Sequence, residues 1–488
     1  MTYSRPLTSN MIPAVIAAAG RGSRAYPKTS RMPKVLLEFS GKSLIARNIE
    51  LLRDQMGITD ITIIDGHLKE QIRESLGDGS RFGVSLRYVT CPEPDKGLAA
   101  GLLCVREQMS GGPFVLLLGD ELYLNTNHRG LRPDGAAVCG LMPVEDLHQI
   151  KKNYSVEIEE GAITRLVEKP EAVRNNLLGC GTFVFTPEIF SAIDRTPPSM
   201  RSGRVELIDA IDLLARSGSI VKPFLLEGSY FNINSIDDYN YAQFRFRETN
   251  FASRKVSVVI PAYNEESSIA YVVRDFLPHA SEVLVVNNSS HDRTAEVAAA
   301  AGARVETVKL IGYGDTIRHG LDIATGDILV VVEADFSFRA RDLSKLLEYL
   351  KDADMVIGTR TTRELVEQGT NMRGPVRWGN VLVAKMVELM WWNLQPRFTD
   401  VGCTYRALWR ETYQAIRPLL HGVGPELSPE MMIAALRARK RIIEVPVSYH
   451  RRIGGESKHS ANYYRIARTA LRMLRTIFGH FANARDKC

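Results

Sequence analysis

The chain begins a buried strand twice, and each time the strand leads directly into a polar loop. Residues 14–18 form the first of these apolar runs and residues 256–260 form the second, after a polar and charged segment at 239–255. The longest apolar runs have the length of strands, far short of the roughly 20 residues that a membrane-spanning helix needs. We therefore predict two domains, residues 1–250 and 251–460, followed by a tail at 461–488.

Apolar runs alternate with amphipathic segments in both halves. Strands are predicted at residues 14–18, 61–64, 86–89, 114–118, 256–260, 282–286, 304–308 and 328–332, and helices at 44–55, 98–108, 267–276 and 294–301. Strands that alternate with helices pair in parallel, with helices on both faces of the sheet. We expect an α/β protein with two Rossmann-like domains in tandem. Ligands of such sheets bind at the carboxyl ends of the strands, so two sites are expected.

The composition indicates a cytoplasmic globular protein. Six cysteines in 488 residues, none in a Cys-x-x-Cys pair, are too few for a disulfide framework. The apolar run near the N-terminus contains Pro13 and continues into a glycine-rich loop, which argues against a signal peptide. A net charge of +6 fits either a mildly basic surface or attraction to anionic ligands. Aromatic and basic residues are not interleaved, so no nucleic-acid partner is expected.

A glycine-rich loop with basic residues follows the first strand. Such a loop lets backbone N–H groups approach phosphates, and Arg24 and Lys34 would add positive charge where pyrophosphate leaves. The loop residues expected to contact a nucleotide are Ala19, Gly20, Gly22 and Ser23. Further distinctive segments are residues 91–99, 118–120, 168–170, 181–185 and 232–238.

In this order, the segments resemble the sugar nucleotidyltransferase family over roughly residues 12–245. The resemblance implies that a nucleoside triphosphate and a sugar 1-phosphate are joined into a nucleoside-diphosphate sugar, with release of pyrophosphate. It implies Mg²⁺ as cofactor and a base-reading loop at residues 91–99. The implied roles are Gly97 at the nucleotide, Asp120, Asn234 and Asn232 on Mg²⁺, and Glu168, Lys169 and Gly181 at the sugar phosphate.

Two positions depart from this family pattern. Cys91 stands where relatives often carry a glutamine that reads the base, so the nucleotide is left open. Asn234 stands in place of an aspartate, although amide oxygens also bind hard cations.

The second half carries polar residues at three predicted strand ends. They are Pro261, Tyr263 and Glu265 after the first strand, Asn288 and Asp292 after the second, and Glu333 and Asp335 after the fourth. Groups of this kind on adjacent strands can surround a ribose, a base and a metal-bound diphosphate. The pattern resembles glycosyltransferase family 2, which has a GT-A fold. This resemblance implies that Glu333 and Asp335, in the place of an Asp-x-Asp motif, bind Mg²⁺ or Mn²⁺.

The end of this half is similar to the branch of that family that glycosylates polyprenyl phosphates, the dolichyl-phosphate mannose and glucose synthases. The resemblance covers residues 256–460. Arg451, Arg452 and Lys458 would then bind the acceptor phosphate. If the acceptor is instead a hydroxyl, Glu430 or Asp400 is the candidate general base. Either carboxylate can equally be structural, and the arginines can belong to a solvated loop.

The tail fits an amphipathic helix over residues 464–484. At 100° per residue, its arginines (Arg465, Arg468, Arg472, Arg475) are expected on one side and its apolar residues (Ala467, Leu471, Leu474, Phe478, Phe481) on the opposite side. Two interpretations stay open: the helix lies in a membrane interface, or it packs on protein. The apolar stripe at residues 381–394, with Trp391 and Trp392, is either a second membrane contact or core.

The leading hypothesis is a bifunctional enzyme that makes a nucleotide-sugar and transfers a sugar from one to a polyprenyl phosphate, at the cytoplasmic face of a membrane. A second hypothesis gives the transferase a soluble acceptor. A third, prompted by Glu333, makes the second domain a binding or membrane-docking module without turnover. The base, the sugar, the acceptor and the oligomeric state stay open.

Overall fold

The structure is a computed structural model that describes residues 12–22, 29, 32–310, 312–370, 372, 374–394, 396–453 and 463–485. Side chains are described for these residues except Pro375, 463–466 and 483–485. The chain divides into two compact units, Met1–Ala242 and Gln243–Cys488.

The first unit is built around one large sheet. Its strands are β1 (Ala14–Ala17), β2 (Glu38–Phe39), β3 (Lys42–Ser43), β4 (Asp60–Asp65), β5 (Ser85–Thr90), β6 (Phe114–Leu118), β7 (Glu121–Leu124), β8 (Ala137–Pro143), β9 (Tyr154–Glu159), β10 (Ala162–Glu168), β11 (Leu177–Phe185), β12 (Val221–Leu225) and β13 (Ser229–Asn232). Its helices are α1 (Leu44–Met56), α2 (Lys69–Leu76), α3 (Leu98–Leu103), α4 (Arg106–Met109), α5 (Glu188–Arg195), α6 (Leu207–Arg216) and the beginning of α7 (Ile236–Thr249).

Seven strands form this sheet in the order β12-β8-β11-β6-β1-β4-β5. All neighbours pair in parallel except β11, which is antiparallel to both β6 and β8. A separate ribbon pairs β7 with β13, so that Asn232 lies opposite Glu121. The parallel strands β1 and β6 are neighbours, and their carboxyl ends lie side by side.

The second unit repeats this plan. Its strands are β14 (Val256–Ala262), β15 (Glu282–Asn287), β16 (Arg304–Thr307), β17 (Ile328–Val331), β18 (Met355–Thr359), β19 (Arg406–Trp409) and β20 (Ile442–Pro446). Its helices, after the end of α7, are α8 (Ile269–Phe276), α9 (Thr294–Ala300), α10 (Tyr313–Ile323), α11 (Leu343–Leu350), α12 (Pro375–Met390), α13 (Arg410–Ile416), α14 (Leu427–Arg437) and α15 (Tyr463–Arg485). The sheet order is β16-β15-β14-β17-β19-β18-β20, with β19 antiparallel to β17 and β18.

Both sheets are covered on both faces. Val15 of β1 packs into one apolar cluster and Ile16 into another on the opposite face. In β14, Val258 and Val259 divide between two clusters in the same way. Successive side chains of a strand point to opposite faces, so an uninterrupted apolar run is stable only when both faces are buried. The α/β fold class predicted from the sequence is confirmed.

The prediction covers only part of these elements. The helix expected at residues 98–108 is divided into α3 and α4, with Cys104 and Val105 between them. Six of the fourteen strands of the two large sheets were not predicted: β8, β11 and β12 in the first and β18, β19 and β20 in the second. Several helices, among them α10 and α14, were not predicted either.

Among the helices of the described residues, none combines the length and the apolarity that a membrane crossing requires. The five cysteines in this part of the chain are free thiols.

A buried ion pair holds the end of α7 within the second unit. Arg247 is 3% exposed; it donates to Asp354 at 2.6 Å and to the carbonyl of Ala353 at 2.7 Å, and its guanidinium lies 5.1 Å from the ring centre of Trp409. Burial by itself would raise the pKa of Asp354, but the charges of Arg247 and Lys440, together with hydrogen bonds from Arg247 and from the N–H of Arg441, lower the pKa. The ion pair therefore helps to keep the Asp354 carboxylate charged although it is buried.

Replacement of Arg247 by alanine is expected to lower the free energy of unfolding by about 3–5 kcal/mol, because it leaves Asp354 charged and buried. The exposed Arg245, two positions away on the same helix, is the control: Arg245→Ala should cost less than about 0.5 kcal/mol. Urea denaturation of the two variants would measure both values, and equal costs would contradict the role given to the pair.

Candidate active sites

The first candidate site begins at the loop after β1. Gly22 has φ +63°, and a Cβ there would lie 2.9 Å from the Cβ of Lys34, so only glycine fits without displacement. The hydroxyl of Thr29 donates to the carbonyl of Gly22 at 2.7 Å. Ala19 and Gly20 precede this turn. The predicted residues Ser23 and Arg24 lie outside the described part of the chain.

Lys34 and Asp120 meet at the carboxyl ends of β1 and β6. The Lys34 Nζ lies 2.5 Å from an Asp120 carboxylate oxygen. The N–H of Gly119 donates to the carbonyl of Ala17 at 2.9 Å, which fixes the turn that presents Asp120. Lys34 is only 9% exposed, so its charge acts with little screening by water.

The two predicted asparagines are brought to the same place by β13. Its ladder with β7 continues past the strand, because the N–H of Ile233 donates to the carbonyl of Asp120 at 3.1 Å. Asn232 and Asn234 therefore flank the residue that faces Asp120. The side-chain amide of Asn232 donates to the Asn153 side chain at 2.7 Å.

Asn153 also links this point to the predicted sugar-phosphate residues. Its carbonyl accepts from the N–H of Lys169 at 2.6 Å, and Lys169 has the positive φ of +47°. Four segments that are far apart in sequence thus converge: those of Lys34, Asp120, Asn232 and Lys169. Asn153 has no motif around it, and sequence reasoning missed it.

These residues suit Mg²⁺. Within the described ranges, no three His, Cys, Asp or Glu side chains form a group that could hold a metal without help. Mg²⁺, however, is usually held by one or two carboxylates together with substrate phosphates. Asp120 supplies one carboxylate, and the amides of Asn232 and Asn234 offer neutral oxygen ligands beside it.

Glu168 lies in a largely buried position beside Lys169. Burial raises the pKa of Glu168 to about 7, although the charges of Lys169 and Arg201 oppose the shift. Lys169 Nζ and an Arg201 guanidinium nitrogen each lie 3.8 Å from Glu168 Oε1. Arg201, in a segment without any motif, was not predicted from the sequence.

Gly181 is held by a buried carboxylate that sequence reasoning also missed. The N–H of Gly181 donates to Glu121 at 2.9 Å, and the hydroxyls of Tyr123 and Tyr230 donate to the same carboxylate. A Cβ on Gly181 would lie 2.6 Å from a Glu121 oxygen, which explains glycine there. Glu121 thus connects the turn after β6, strand β11 and strand β13 beneath the site.

The segment predicted to read the base has two parts with different exposure. The side chain of Cys91 is buried in the apolar core, and its N–H donates to the carbonyl of Asp65 at 2.8 Å. Gly97 has φ +94° at the start of α3. An exposed ion pair of 2.9 Å joins Asp95 to Arg21 of the glycine-rich loop.

The second candidate site is a cavity of about 1110 Å³ at the carboxyl ends of β14, β15 and β17. The predicted residues that line it are Pro261, Tyr263, Glu265, Asn288, Glu333, Asp335, Arg451 and Arg452. Lining residues to which the sequence analysis gave no role include His291, Lys309, Tyr313, Arg360, Thr404 and Tyr449. Lys458 lies outside the described residues.

Asn288 and Asp292 have different positions around this cavity. The Asn288 side chain accepts from the N–H of Leu310 at 2.8 Å and so holds the segment that follows β16. Asp292 lies two residues before α9, where it accepts from the N–H of Thr294 at 3.0 Å and from the N–H of Glu266 at 3.2 Å. It does not line the cavity, and its hydrogen bonds join the segment after β14 to the start of α9.

Glu333 and Asp335 lie close to Arg452. The Arg452 guanidinium lies 3.4 Å from Asp335 and 3.3 Å from Glu265, and the Thr404 hydroxyl donates to Glu333 at 2.9 Å. Burial, together with the charge of Asp335, raises the pKa of Glu333 to about 7. Two carboxylates one residue apart suit a divalent cation, which would bind between the protein and a diphosphate.

Arg452 also has a donor outside these ion pairs. Its Nε is buried and has no hydrogen-bond partner in the described part of the chain. The neighbouring Arg451 is held by the loop at 367–369: its N–H donates to Glu367 at 2.8 Å, and its Nε donates to the carbonyl of Gln368. Both arginines line the cavity, so their positive charge can attract an anionic group there.

The two candidate general bases do not line the cavity. Asp400 is 1% exposed and accepts from the Arg360 Nε at 2.8 Å, from its second guanidinium nitrogen at 3.0 Å, and from the N–H groups of Arg360 and Gly402. Burial would raise the pKa of Asp400, but Arg360 outweighs it and the pKa is lowered. In this arrangement Asp400 orients Arg360.

Glu430 is also held by several hydrogen bonds. It accepts from the N–H groups of His421 and Gly422 at 3.0 and 2.7 Å, and its other oxygen lies 3.1 Å from His480 Nε2. Glu430 lies within α14, whose residues 427–436 are all buried. Together with Asp400, it fits the structural alternative.

Helix α15 packs on α12 and α14, and its faces differ from the prediction. Arg472 is turned inward and pairs with Glu426 at 2.8 Å, whereas Leu471 and Phe478 are 68% and 53% exposed. The helix is therefore not divided into an arginine side and an opposite apolar side. On α12 and just after it, Trp391 is buried and Trp392 is exposed, so the stripe contributes both to the core and to the surface.

Two α/β units, each with charged residues at the carboxyl ends of parallel strands, define a tandem of nucleotide-dependent transferase domains. The family described as Nucleotidyl transferase matches residues 13–245, and the family described as Glycosyl transferase family 2 matches residues 257–408. The chain belongs to both families, one through each unit. It is an enzyme with a nucleotidyltransferase domain and a glycosyltransferase domain.

Individual relatives match one half each. The UTP–glucose-1-phosphate uridylyltransferase AglF of Haloferax volcanii is 34% identical over 48% of this chain and 96% of its own length. A glucose-1-phosphate thymidylyltransferase of Streptomyces griseus is 28% identical, and the chain spans 63% of it. An uncharacterized glycosyltransferase of Mycobacterium tuberculosis is 35% identical over 43% of this chain and 92% of its own length.

Among solved structures, a UDP-glucose pyrophosphorylase complexed with UDP-glucose is 22% identical. The comparison covers 50% of this chain and 100% of that chain, with a TM-score of 0.42.

Glu121 is expected to make the stability of the first unit depend on pH. Burial, and then the charge of Asp120, raises the pKa of Glu121 to about 8, so folding favours its protonated form. That contribution is complete below the unfolded pKa and is lost as pH rises through about 8. The advantage of the wild type over Glu121→Gln should therefore shrink between about pH 5 and pH 9, because glutamine does not titrate.

Urea denaturation without Mg²⁺ at several pH values would measure this difference. The exposed Glu38→Gln is the matched control and should leave the pH dependence unchanged. A constant difference between wild type and Glu121→Gln across the range would refute the prediction.

Proposed function

We propose that the first unit forms a nucleoside-diphosphate sugar from a nucleoside triphosphate and a sugar 1-phosphate, and that the second transfers a sugar from such a donor to a polyprenyl phosphate. The convergence of Lys34, Asp120, Asn232 and Lys169 supports the first activity. The names of the relatives, which are uridylyl- and thymidylyltransferases acting on glucose 1-phosphate, support UTP or dTTP with glucose 1-phosphate as the pair to test first.

In the first reaction, an oxygen of the sugar phosphate attacks the α-phosphorus of the nucleotide and pyrophosphate leaves. Lys34, with Arg24, neutralises charge that develops on the leaving group, and Lys169 holds the sugar phosphate. Asp120, Asn232 and Asn234 would hold Mg²⁺, which supplies positive charge to the phosphate oxygens. The protein contributes mainly position and charge.

In the second reaction, the acceptor oxygen displaces a nucleoside diphosphate from the sugar carbon. The observation that carries a phosphate acceptor is the placement of Asp400 and Glu430: both are saturated by hydrogen bonds and neither lines the cavity. A hydroxyl would need a base there, whereas a phosphate monoester is already an anion. Arg452, which lines the cavity, offers it positive charge, and Glu333 and Asp335 would hold the cation at the diphosphate.

A lipid acceptor also implies contact with a membrane. The exposed large apolar side chains of this region are Trp378, Leu382, Leu389, Trp392, Leu471 and Phe478. Exposed basic residues on the same two helices, Lys385, Arg468 and Arg475, would attract anionic lipid head groups. We infer peripheral binding at the cytoplasmic face through α12 and α15.

The first test is pyrophosphate release across a grid of five nucleoside triphosphates and several sugar 1-phosphates with Mg²⁺. We expect one dominant pair, with UTP or dTTP as the nucleotide. Asp120→Ala should lower its rate by about 100-fold or more, because a charge at the phosphates is lost. The exposed Asp134→Ala should keep the wild-type rate. If no pair of nucleotide and sugar 1-phosphate releases pyrophosphate, the proposed first activity is contradicted.

The second test supplies the second unit with that nucleotide-sugar and compares a detergent-solubilised polyprenyl phosphate with water-soluble sugars. Transfer to the lipid phosphate is expected, with a loss of about 100-fold in Asp335→Ala and none in the exposed Glu296→Ala. Transfer to soluble sugars alone would favour the second hypothesis. Binding of the donor without transfer to any acceptor would favour a module without turnover.

A further inference from the structure

Two side-chain amides connect a backbone carbonyl to the metal site proposed for the first unit. The Asn153 Nδ2 group donates to the carbonyl of Gln149 at 3.3 Å, and the Asn232 Nδ2 group donates to Asn153 Oδ1 at 2.7 Å. Asn232 is the last residue of β13, and the N–H of the next residue, Ile233, donates to the carbonyl of Asp120. The series of hydrogen bonds therefore ends beside the residue whose carboxylate is expected to hold Mg²⁺.

Each hydrogen bond in this series has only one possible direction. A backbone carbonyl only accepts, whereas an asparagine side chain has an oxygen that accepts and an NH2 group that donates. Asn153 must therefore turn its NH2 group to the Gln149 carbonyl, which directs its oxygen at Asn232. Asn232 must in turn direct its own NH2 group at that oxygen.

This arrangement leaves the oxygen of the Asn232 amide available. Within the described residues, Asn232 Oδ1 accepts no hydrogen bond. An amide oxygen can bind a hard cation, but an NH2 group has no acceptor oxygen to offer it. A reversed Asn232 amide would place its oxygen against that of Asn153 and would turn its NH2 group to the side where the oxygen now lies.

The main chain fixes the position of Asn153 independently of its side chain. Asn153 follows a 3-10 helix at Leu147–Lys152, and its N–H donates to the carbonyl of Ile150 at 3.0 Å. Its own carbonyl accepts from the N–H of Lys169 at 2.6 Å. A substitution at position 153 can therefore remove the side-chain amide while these backbone bonds stay in place.

We propose that Asn153 is a positioning residue, which orients the Asn232 amide so that its oxygen faces the Mg²⁺ bound at Asp120. This inference rests on the proposed function, because it takes Asp120 and Asn232 as ligands of the cation. Asn153 acts only through Asn232. Partners that orient a metal ligand typically contribute about 10- to 100-fold to metal affinity.

The test measures the binding of Mn²⁺, a paramagnetic substitute for Mg²⁺, by electron paramagnetic resonance of the free ion. The full chain is used with saturating UDP-glucose and, in parallel, with dTDP-glucose. All variants carry Asp335→Ala, which removes the carboxylate expected to hold a cation in the second unit. Asp120→Ala in this background identifies the site of the first unit, because it should abolish the tight binding that remains.

Asn153→Leu has the branched shape of asparagine without its polar atoms, and it should weaken Mn²⁺ binding by about tenfold. Asn153→Asp keeps an oxygen that accepts from the Asn232 NH2 group, so its Mn²⁺ affinity should stay within about threefold of the parent chain. The control is Asn176→Leu, the same substitution at an exposed asparagine, which should leave the affinity unchanged.

A double variant separates orientation of the amide from general support of the fold. An aspartate at position 232 presents an oxygen in either orientation of its side chain. Asn153→Leu/Asn232→Asp should therefore recover Mn²⁺ affinity to within about threefold of the parent chain. In pyrophosphate release with Mg²⁺, the concentration of Mg²⁺ for half-maximal rate should change by the same factors. The KM of the sugar 1-phosphate should stay within about twofold, because the backbone bond to Lys169 is kept.

The outcomes distinguish this inference from the proposed function. If Asn153→Leu binds Mn²⁺ as the parent chain does, or if Asn232→Asp does not restore a loss, the inference is overturned while the proposed activity stands. If Asp120→Ala leaves Mn²⁺ binding unchanged, the metal site is assigned wrongly and the inference is refuted with it. Absence of pyrophosphate release from the wild type would refute the first proposed activity, whereas the Mn²⁺ affinities would still decide the role of Asn153.

Discussion

Parallel pairing forces neighbouring strands of a sheet to end on the same edge, and both sites of this protein depend on that constraint. In the first unit, β1 and β6 bring the glycine-rich loop and Asp120 side by side. In the second, β14, β15 and β17 do the same for Glu265, Asn288 and Asp335. Helices cover both faces of each sheet, so the edge is the place where polar groups can gather without disturbing the core.

Charges gathered at such an edge need partners of opposite sign. Lys34 forms an ion pair with Asp120 in the first unit, and Arg452 forms ion pairs with Asp335 and Glu265 in the second. These pairs offset the negative charge of carboxylates that the parallel strands bring close together.

Buried carboxylates whose oxygens accept several hydrogen bonds have a structural role in the second unit. Asp400 orients Arg360, and Glu430 and Glu426 fasten α15 to the rest of the second unit. These buried acids define the walls of the cavity instead of reacting in it.

The sequence by itself determined the features that local patterns encode: eight of the fourteen strands of the two large sheets, some of the helices, the division into two α/β units, and the motifs at the strand ends. Only the tertiary structure decided which distant side chains meet. Asn153, Glu121 and Arg360 carry no motif, and their partners lie on segments that the fold alone brings near. Arg472 faces inward because it forms an ion pair with Glu426. A helical pattern shows which residues share a face of the helix, but it does not show which charged residue of another segment packs against that face.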